Sequence, residues 1–468
     1  MESLMSFSGL SHAIGGRLFA GEGKQAADLR MEGFSSVSID SRVITPGGLF
    51  VALRGSSLDG HRFVDAAFKA GACGALVALS AMEDAGIGLL GLAQRCNRVL
   101  VAVEDSLKGL QEAAAAYLKQ FSGLLKIGIT GSAGKTTTKE IAAAIIGQEK
   151  KVVMNEGNLN SETGLPLSVF KVRAEHQVGV FEAGMNRPGE IAELAAVLNP
   201  DLALITNIGS AHIGILGSRR RIAEEKKQIF SAFNTGNTAL IPEADEFRDF
   251  LSQGIRGRTV FYGPSSLTGL GGLKDLGLEG TGIIWEGEAV RFALPGKYNL
   301  SNAFAAIALA LELPVRAASI RRGLESVKPL FGRGEIFYGR TTLIRDCYNS
   351  SPESAQAALD FCDSLEIPGR RIYVMGSMLE LGDSSEAAHA DLGRRLAASR
   401  ADKVFLFGDE MSSAADQLGE SFYTQNMDEL SKALDGYVKN GDLVLLKASR
   451  GCELEALTEM LLGDGHAA

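Results

Sequence analysis

The chain has 468 residues, enough for about three domains at roughly 150 residues each. It is 46% hydrophobic and 22% charged, which excludes a disordered chain, and its net charge of -9 argues against a general nucleic-acid binder. It has no run of 18 or more apolar residues, so no membrane insertion is expected, and its first residues lack the basic and apolar regions of a secretory signal.

Five cysteines, odd in number and without a CxxC pair, fit reduced thiols in a cytoplasm. The six histidines show no metal-binding spacing. The 56 glycines follow no G-X-Y period and are expected at turns and where backbone approaches a ligand.

Up to residue 123, short strands and helices mix. Residues 37–42 alternate and 49–53 form an apolar run, so both predict strands. The segment 61–70 sets Phe63, Ala66, Ala67 and Ala70 on one helix face, and 105–121 predicts an alanine-rich helix. From 124 onward apolar strands alternate with helices, the pattern of a parallel sheet with crossover helices. Strands are predicted over 125–130, 178–182 and 202–206, and helices over 136–148, 188–198 and 219–230. The glycine-rich stretch from Gly263 predicts hairpins, and a helix over 301–313 ends at Pro314, the expected domain boundary. Beyond it, strands over 342–346, 371–375, 404–407 and 443–447, with helices over 354–365, 389–399 and 454–462, predict a second doubly wound unit.

The sharpest chemical signal is TGSAGKTTTKE at 130–140. A strand enters the loop Gly131-Ser132-Ala133-Gly134-Lys135-Thr136-Thr137 and a helix leaves it. The glycines let backbone N–H groups turn around phosphate oxygens, and the helix N-terminus adds its positive dipole end. Lys135 supplies a cation to the outer phosphates, and the Thr136 hydroxyl can ligate Mg²⁺. The loop is shorter than G-x-x-x-x-G-K-[ST], because Ile129 stands where that pattern has glycine.

Alone, such a loop leaves kinase, switch GTPase, transport ATPase and ATP-driven ligase open. A strand ending at Glu182 sets a carboxylate beside the crevice, where it can hold Mg²⁺. A second strand leads to His212. Lys226, within IAEEKK, reads from composition as part of a solvated helix face with charge pairs.

These motifs occur together in one family. The chain resembles the Mur ligases, ATP-dependent amide-forming enzymes of bacterial cell-wall precursor synthesis. In the first domain the resemblance rests on SIDSRVITPGGLFVALRG (38–55) and DGHRF (59–63). In the second it rests on the phosphate loop, NEGNLNSETGLPLS (155–168), EAGMNRPGEI (182–191), TNIGSAHIGILGS (206–218) and KYNLSNAFAA (297–306). In the third it rests on GRGE (332–335), RDCYNSSPES (345–354), MGSMLELGDSS (375–385) and KASRG (447–451).

The resemblance implies an α/β fold of three domains. These are a small N-terminal α/β domain binding the UDP substrate (1–123), a central P-loop parallel-sheet ATPase domain (124–314) and a C-terminal Rossmann-like domain (315–468). It implies ATP and Mg²⁺, with Thr136, Glu182, His212 and a carbamylated Lys226 as metal ligands, and Lys135, Glu182, His212 and Lys226 as the catalytic set. Asn302 from the central domain, and Arg333, Asp346, Tyr348 and Asn349 from the third, would join the loop around ATP. Ser41 and Arg42 would hold the UDP part, Asn155, Asn158 and Asn160 the muramoyl peptide, and Lys447, Ser449 and Arg450 the incoming dipeptide.

The absence of a D-N-P-R motif and the presence of MLELGDSS favour the branch that joins D-alanyl-D-alanine to UDP-N-acetylmuramoyl-tripeptide through an acyl phosphate. Another Mur-type or folylpolyglutamate-type ligase, and a P-loop ATPase switch, are the alternatives. A monomer is expected. Four positions depart from the family pattern: Tyr298 replaces a histidine, Ser350 the alanine and Ser351 the second asparagine of D-x-Y-N-A-N-P, and Ala448 a glycine.

Overall fold

The computed structural model describes residues 3–20, 31–55, 58–83 and 88–463. Three mainly parallel sheets follow one another along the chain. In the first, Val99–Val103, Gly74–Ala78, Leu49–Val51 and Val37–Ser38 run parallel, and Arg17–Phe19 joins antiparallel at the edge. The expected strand over 37–42 is short because the Asp40 carboxylate accepts from Arg42 N at 2.9 Å and turns the chain.

The central sheet has six parallel strands, ordered Arg258–Tyr262, Thr238–Pro242, Leu202–Ile205, Leu125–Thr130, Val178–Glu182 and Val152–Met154. Its inner strands are mostly apolar because helices cover both faces. The glycine-rich stretch gives an antiparallel sheet, Leu270–Asp275, Thr281–Trp285 and Glu288–Phe292, as the hairpin reading expects. Its Ile283, Trp285, Val290 and Phe292 extend the central core.

The helix expected over 301–313 spans Lys297–Glu312, beginning a turn earlier at Gly296. The expected boundary at 314 falls too early. Helix Ala317–Ser326 buries Ile320 and Leu324 in the central core, with Gly323 against Ile145 of the phosphate-loop helix. Arg316 also pairs with Glu149 at 3.0 Å. Pro314 therefore ends one helix without ending the domain.

The third sheet is ordered Glu335–Tyr338, Thr342–Asp346, Leu443–Lys447, Arg371–Gly376, Lys403–Phe407 and Phe422–Thr424, with only the first strand antiparallel. Among the described residues no helix is long and apolar enough to cross a membrane.

The first and central domains share one apolar core, in which Phe34, Tyr117 and Phe170 pack ring against ring. The central and third domains meet differently, across a polar cleft at the carboxyl ends of their strands.

Candidate active site at the phosphate loop

Strand Leu125–Thr130 lies where the sheet order turns, with Val178–Glu182 on one side and Leu202–Ile205 on the other. A crevice opens at the carboxyl ends of strands at such a point. The loop that follows is built from glycines for a steric reason. Gly131 has φ +149° and Gly134 φ +79°, and a side chain at either would strike Thr206 Oγ1 or the Asn302 amide. The loop is braced from the neighbouring strand end: Thr206 Oγ1 donates to Ala133 O at 2.6 Å, and Ala133 N donates to Asn207 Oδ1 at 3.0 Å. Helix Lys135–Ile146 begins directly after it.

Glu182 is almost fully buried. Its Oε2 accepts from Thr136 Oγ1 at 2.7 Å and its Oε1 from Asn160 Nδ2 at 2.5 Å. Asn155 holds the Glu182 backbone from both sides, accepting from its N–H at 2.9 Å and donating to its C=O at 2.9 Å.

Lys135 and Lys226 act on this carboxylate, and a third lysine, Lys139, lies on the same phosphate-loop helix as Lys135. Lys135 Nζ donates to Gly131 O at 2.9 Å; burial lowers its pKa, against the opposing pull of Glu182. Lys139, fully buried, donates to Asn155 O at 2.5 Å and lies 3.1 Å from Glu140 Oε1. Lys226 is also fully buried, yet among the described residues its Nζ has no hydrogen-bond partner. Burial, then the nearby Lys135, push its pKa well below the ordinary lysine value, with Glu225 and Glu182 opposing.

The expectation of a solvated face fails for Lys226 because its helix turns that side into the domain. The neighbouring Glu225 points the same way, accepting from Gly189 N at 2.9 Å and Ile191 N at 3.1 Å at the start of helix Glu190–Leu198.

The third domain closes the cleft. Arg333 lies over the Tyr348 ring at 4.0 Å. Asp346 Oδ2 is 3.0 Å from Lys447 Nζ, which also donates to Asn349 O at 2.7 Å. Burial raises the Asp346 pKa, against the opposing pull of Lys447.

Contacts across the domain interface are specific. Glu353 accepts from Ser210 N at 2.8 Å and Ser210 Oγ at 2.7 Å. His212 Nδ1 lies 2.7 Å from Glu380 Oε2, an ion-pair distance for a protonated ring, with the ring N–H off the ideal hydrogen-bond line. Gly214 N donates to Glu380 O at 3.1 Å, and a side chain at Gly214 would strike the Gly382 backbone. The cleft has a volume of about 670 Å³ and joins Lys135, Thr136, Glu182, His212 and Asn302 to Arg333, Asp346, Tyr348, Asn349 and Lys447.

The whole chain matches known proteins in register with this arrangement. Residues 34–118 match the model for the Mur ligase family catalytic domain, 129–310 the Mur ligase middle domain, and 332–450 the Mur ligase glutamate ligase domain. The UDP-N-acetylmuramoyl-tripeptide–D-alanyl-D-alanine ligase of Treponema pallidum is 41% identical over 98% of this chain and 99% of its own. The chain belongs to the Mur ligase family. A MurF crystal structure from Acinetobacter baumannii superposes with a TM-score of 0.88 at 28% identity, covering 99% of each chain. MurF of Thermotoga maritima in complex with ADP superposes at 0.78 and 29% identity, over 91% of this chain and 96% of its own.

Against this Mur ligase frame, several expected site residues lie elsewhere. Asn158 and Asn160 line the cleft, whereas Asn155 is fully buried and occupied by the Glu182 backbone, so it cannot face a substrate. Ser449 is buried and accepts from Leu379 N at 2.9 Å, and Arg450 pairs with Glu455; of KASRG, only Lys447 lines the cleft. Ser41 and Arg42 lie apart from the cleft in the first domain, where Arg42 is exposed and 2.7 Å from Asp40.

Two departures from the family pattern have a local account. Ser351 caps helix Pro352–Ser364 by accepting from Ser354 N, and serine and asparagine are interchangeable N-caps. Tyr298 lines the cleft with its phenol held neutral by burial. Sequence reasoning missed Glu380 and Glu353, whose partners lie in another domain.

Proposed function

We propose that the protein joins D-alanyl-D-alanine to UDP-N-acetylmuramoyl-tripeptide in an ATP-dependent reaction of peptidoglycan precursor synthesis. The observation that carries this reading is the single cleft joining the phosphate loop and Glu182 to the strand ends of the third domain. The 41% identity to a relative of that name across the whole chain supports the substrate assignment.

The reaction has two steps. The terminal carboxylate of the tripeptide attacks the γ-phosphorus of ATP, and ADP leaves. The amine of the dipeptide then attacks the acyl carbon, loses a proton and expels phosphate. Two anions meet in the first step. Lys135 and the N–H groups of the first turn of helix Lys135–Ile146 lower their repulsion and stabilise charge in the transition state. Asn302, Arg333, Asp346, Tyr348 and Asn349 surround the nucleotide, and Asn158 and Asn160 lie on the peptide side. The third domain excludes water from the acyl phosphate. Ser41 and Arg42 act at a distance, on the UDP end.

The residues present fit Mg²⁺. Thr136 and Glu182 are hard oxygen donors already 2.7 Å apart, and no group of three or more His, Cys, Asp or Glu side chains is clustered among the described residues. Such a sparse set suits an ion that takes its remaining ligands from phosphates and water. When bound, Mg²⁺ supplies charge neutralisation at the phosphoryl group. A second ion beside His212 needs another anion. The Nζ of Lys226, without a hydrogen-bond partner among the described residues and with its pKa lowered by burial, is a fitting amine to become one by adding CO₂ and losing a proton. The odd number of cysteines, with no CxxC pair, supports a cytoplasmic enzyme.

The test is phosphate release with each substrate omitted in turn. Release is expected to require ATP, the UDP-tripeptide and the dipeptide together. Full release without the dipeptide would overturn the ligase reading in favour of an ATPase.

A further inference from the structure

The second half of the reaction poses an electrostatic problem. The amine arrives as an ammonium ion, and it must approach an acyl phosphate held by Lys135 with Arg333 close by. An anion on the approach side is required. Most carboxylates lining the cleft are already committed. Glu182 is bonded to Thr136 and Asn160, and Asp346 is paired with Lys447. Asp245 accepts from Ile208 N, and Glu353 holds Ser210. Glu380 differs: its side chain is 52% exposed, lies against the His212 ring and feels the charge of Lys135, and among the described residues it makes no hydrogen bond to the backbone around it.

The backbone around Glu380 shows that its position is enforced. Glu380 has φ +66°, a left-handed conformation costly for a residue with a long side chain. Three hydrogen bonds hold the loop there. Met378 N donates to His389 Nε2 at 3.0 Å, Leu379 N to Ser449 Oγ at 2.9 Å, and Gly214 N to Glu380 O at 3.1 Å. His389 and Ser449 are both buried, and the imidazole accepts at Nε2 because its Nδ1 lies 2.8 Å from Ser385 O. A turn strained and pinned in this way aims one carboxylate from the third domain at the phosphate site.

We propose that Glu380 receives the ammonium end of the amine substrate, with Ser449 and His389 as positioning residues behind it. The proposal rests on the ligase reading above. It gives Ser449 a part in amine binding through Glu380 rather than by contact.

Hydroxylamine separates this from other roles, because it is largely uncharged at neutral pH and attacks an acyl phosphate without needing an anionic anchor. Wild type and Glu380→Gln are compared with ATP, the UDP-tripeptide and varied D-alanyl-D-alanine, with hydroxylamine as competitor. The KM for the dipeptide is expected to rise roughly tenfold to a hundredfold, the size of one lost hydrogen bond between charged groups. The ratio of hydroxamate to peptide product should rise by a similar factor, and kcat at saturating dipeptide should move much less. Glu380→Asp should recover part of the KM, and Ser449→Ala should shift the ratio the same way by less. Hydroxamate and peptide falling together, with the dipeptide KM unchanged, would overturn the proposal and leave Glu380 as a docking partner of His212. A wild type that forms no peptide product would overturn the ligase reading itself.

Discussion

Lys139 and Lys226 are both fully buried in the central domain, yet they are opposites. Lys139 Nζ is bonded to Asn155 O and close to Glu140, so its charge is compensated and its hydrogen bonds are made. Lys226 Nζ has no such partner among the described residues. A buried ammonium group without hydrogen-bond partners carries a large desolvation cost, which is why burial lowers the Lys226 pKa. The difference separates architecture from chemistry. Lys139 ties the phosphate-loop helix to Asn155 and through it to the backbone of Glu182, whereas Lys226 makes no such tie among the described residues.

This contrast can be broken by mutation. Lys226→Ala should lower ligation by roughly two to three orders of magnitude, as expected for loss of a charged group at a phosphoryl-transfer site. Short carboxylates such as formate should restore part of the rate, and the melting temperature should hold or rise, because an unpartnered amine is lost. No rescue would leave the carbamate unsupported. Lys139→Met should do the reverse, costing about 3 kcal/mol of stability because Asn155 O loses its buried partner. An unchanged denaturation midpoint would contradict its structural part.

Asn155→Ala should cost about 2 kcal/mol by freeing the Glu182 backbone groups. The KM for the UDP-tripeptide should stay near wild type; a raised KM with undiminished stability would return Asn155 to the substrate. The smallest effect is expected at Arg42, an exposed cation whose only ion pair among the described residues is with half-buried Asp40. Arg42→Ala should leave the melting curve in place and raise only the KM for the UDP-tripeptide, and a thermal shift would show that it supports the fold.

The phosphate loop was legible in the sequence because all its parts are contiguous: strand, glycines, Lys-Thr and helix in the order the chemistry needs. Glu182 was legible as a strand end, and the hairpins after Gly263 from glycine density. What escaped depends on tertiary contact. Lys226 sits in a charged run that reads as surface, and its burial is decided by the side its helix turns inward. Helix Ala317–Ser326 follows a proline that mimics a boundary, although Ile320 and Leu324 complete the earlier core. Glu380 and His212 meet across two domains, so no local spacing announces them. Asn155 and Ser449 fall within motifs that pointed at substrate, yet they support the residues that line the cleft.

The contact between Gly214 and Gly382 is one of bare backbone on both sides, with no room for even a methyl group. Two domains that rest on flexible side chains can settle at a range of separations, but two that rest on main chain have a hard stop. A wedge as small as one carbon would hold the domains ajar with every reactive group intact. The acyl phosphate would then be lost to water, and ATP would be consumed in excess of the peptide made.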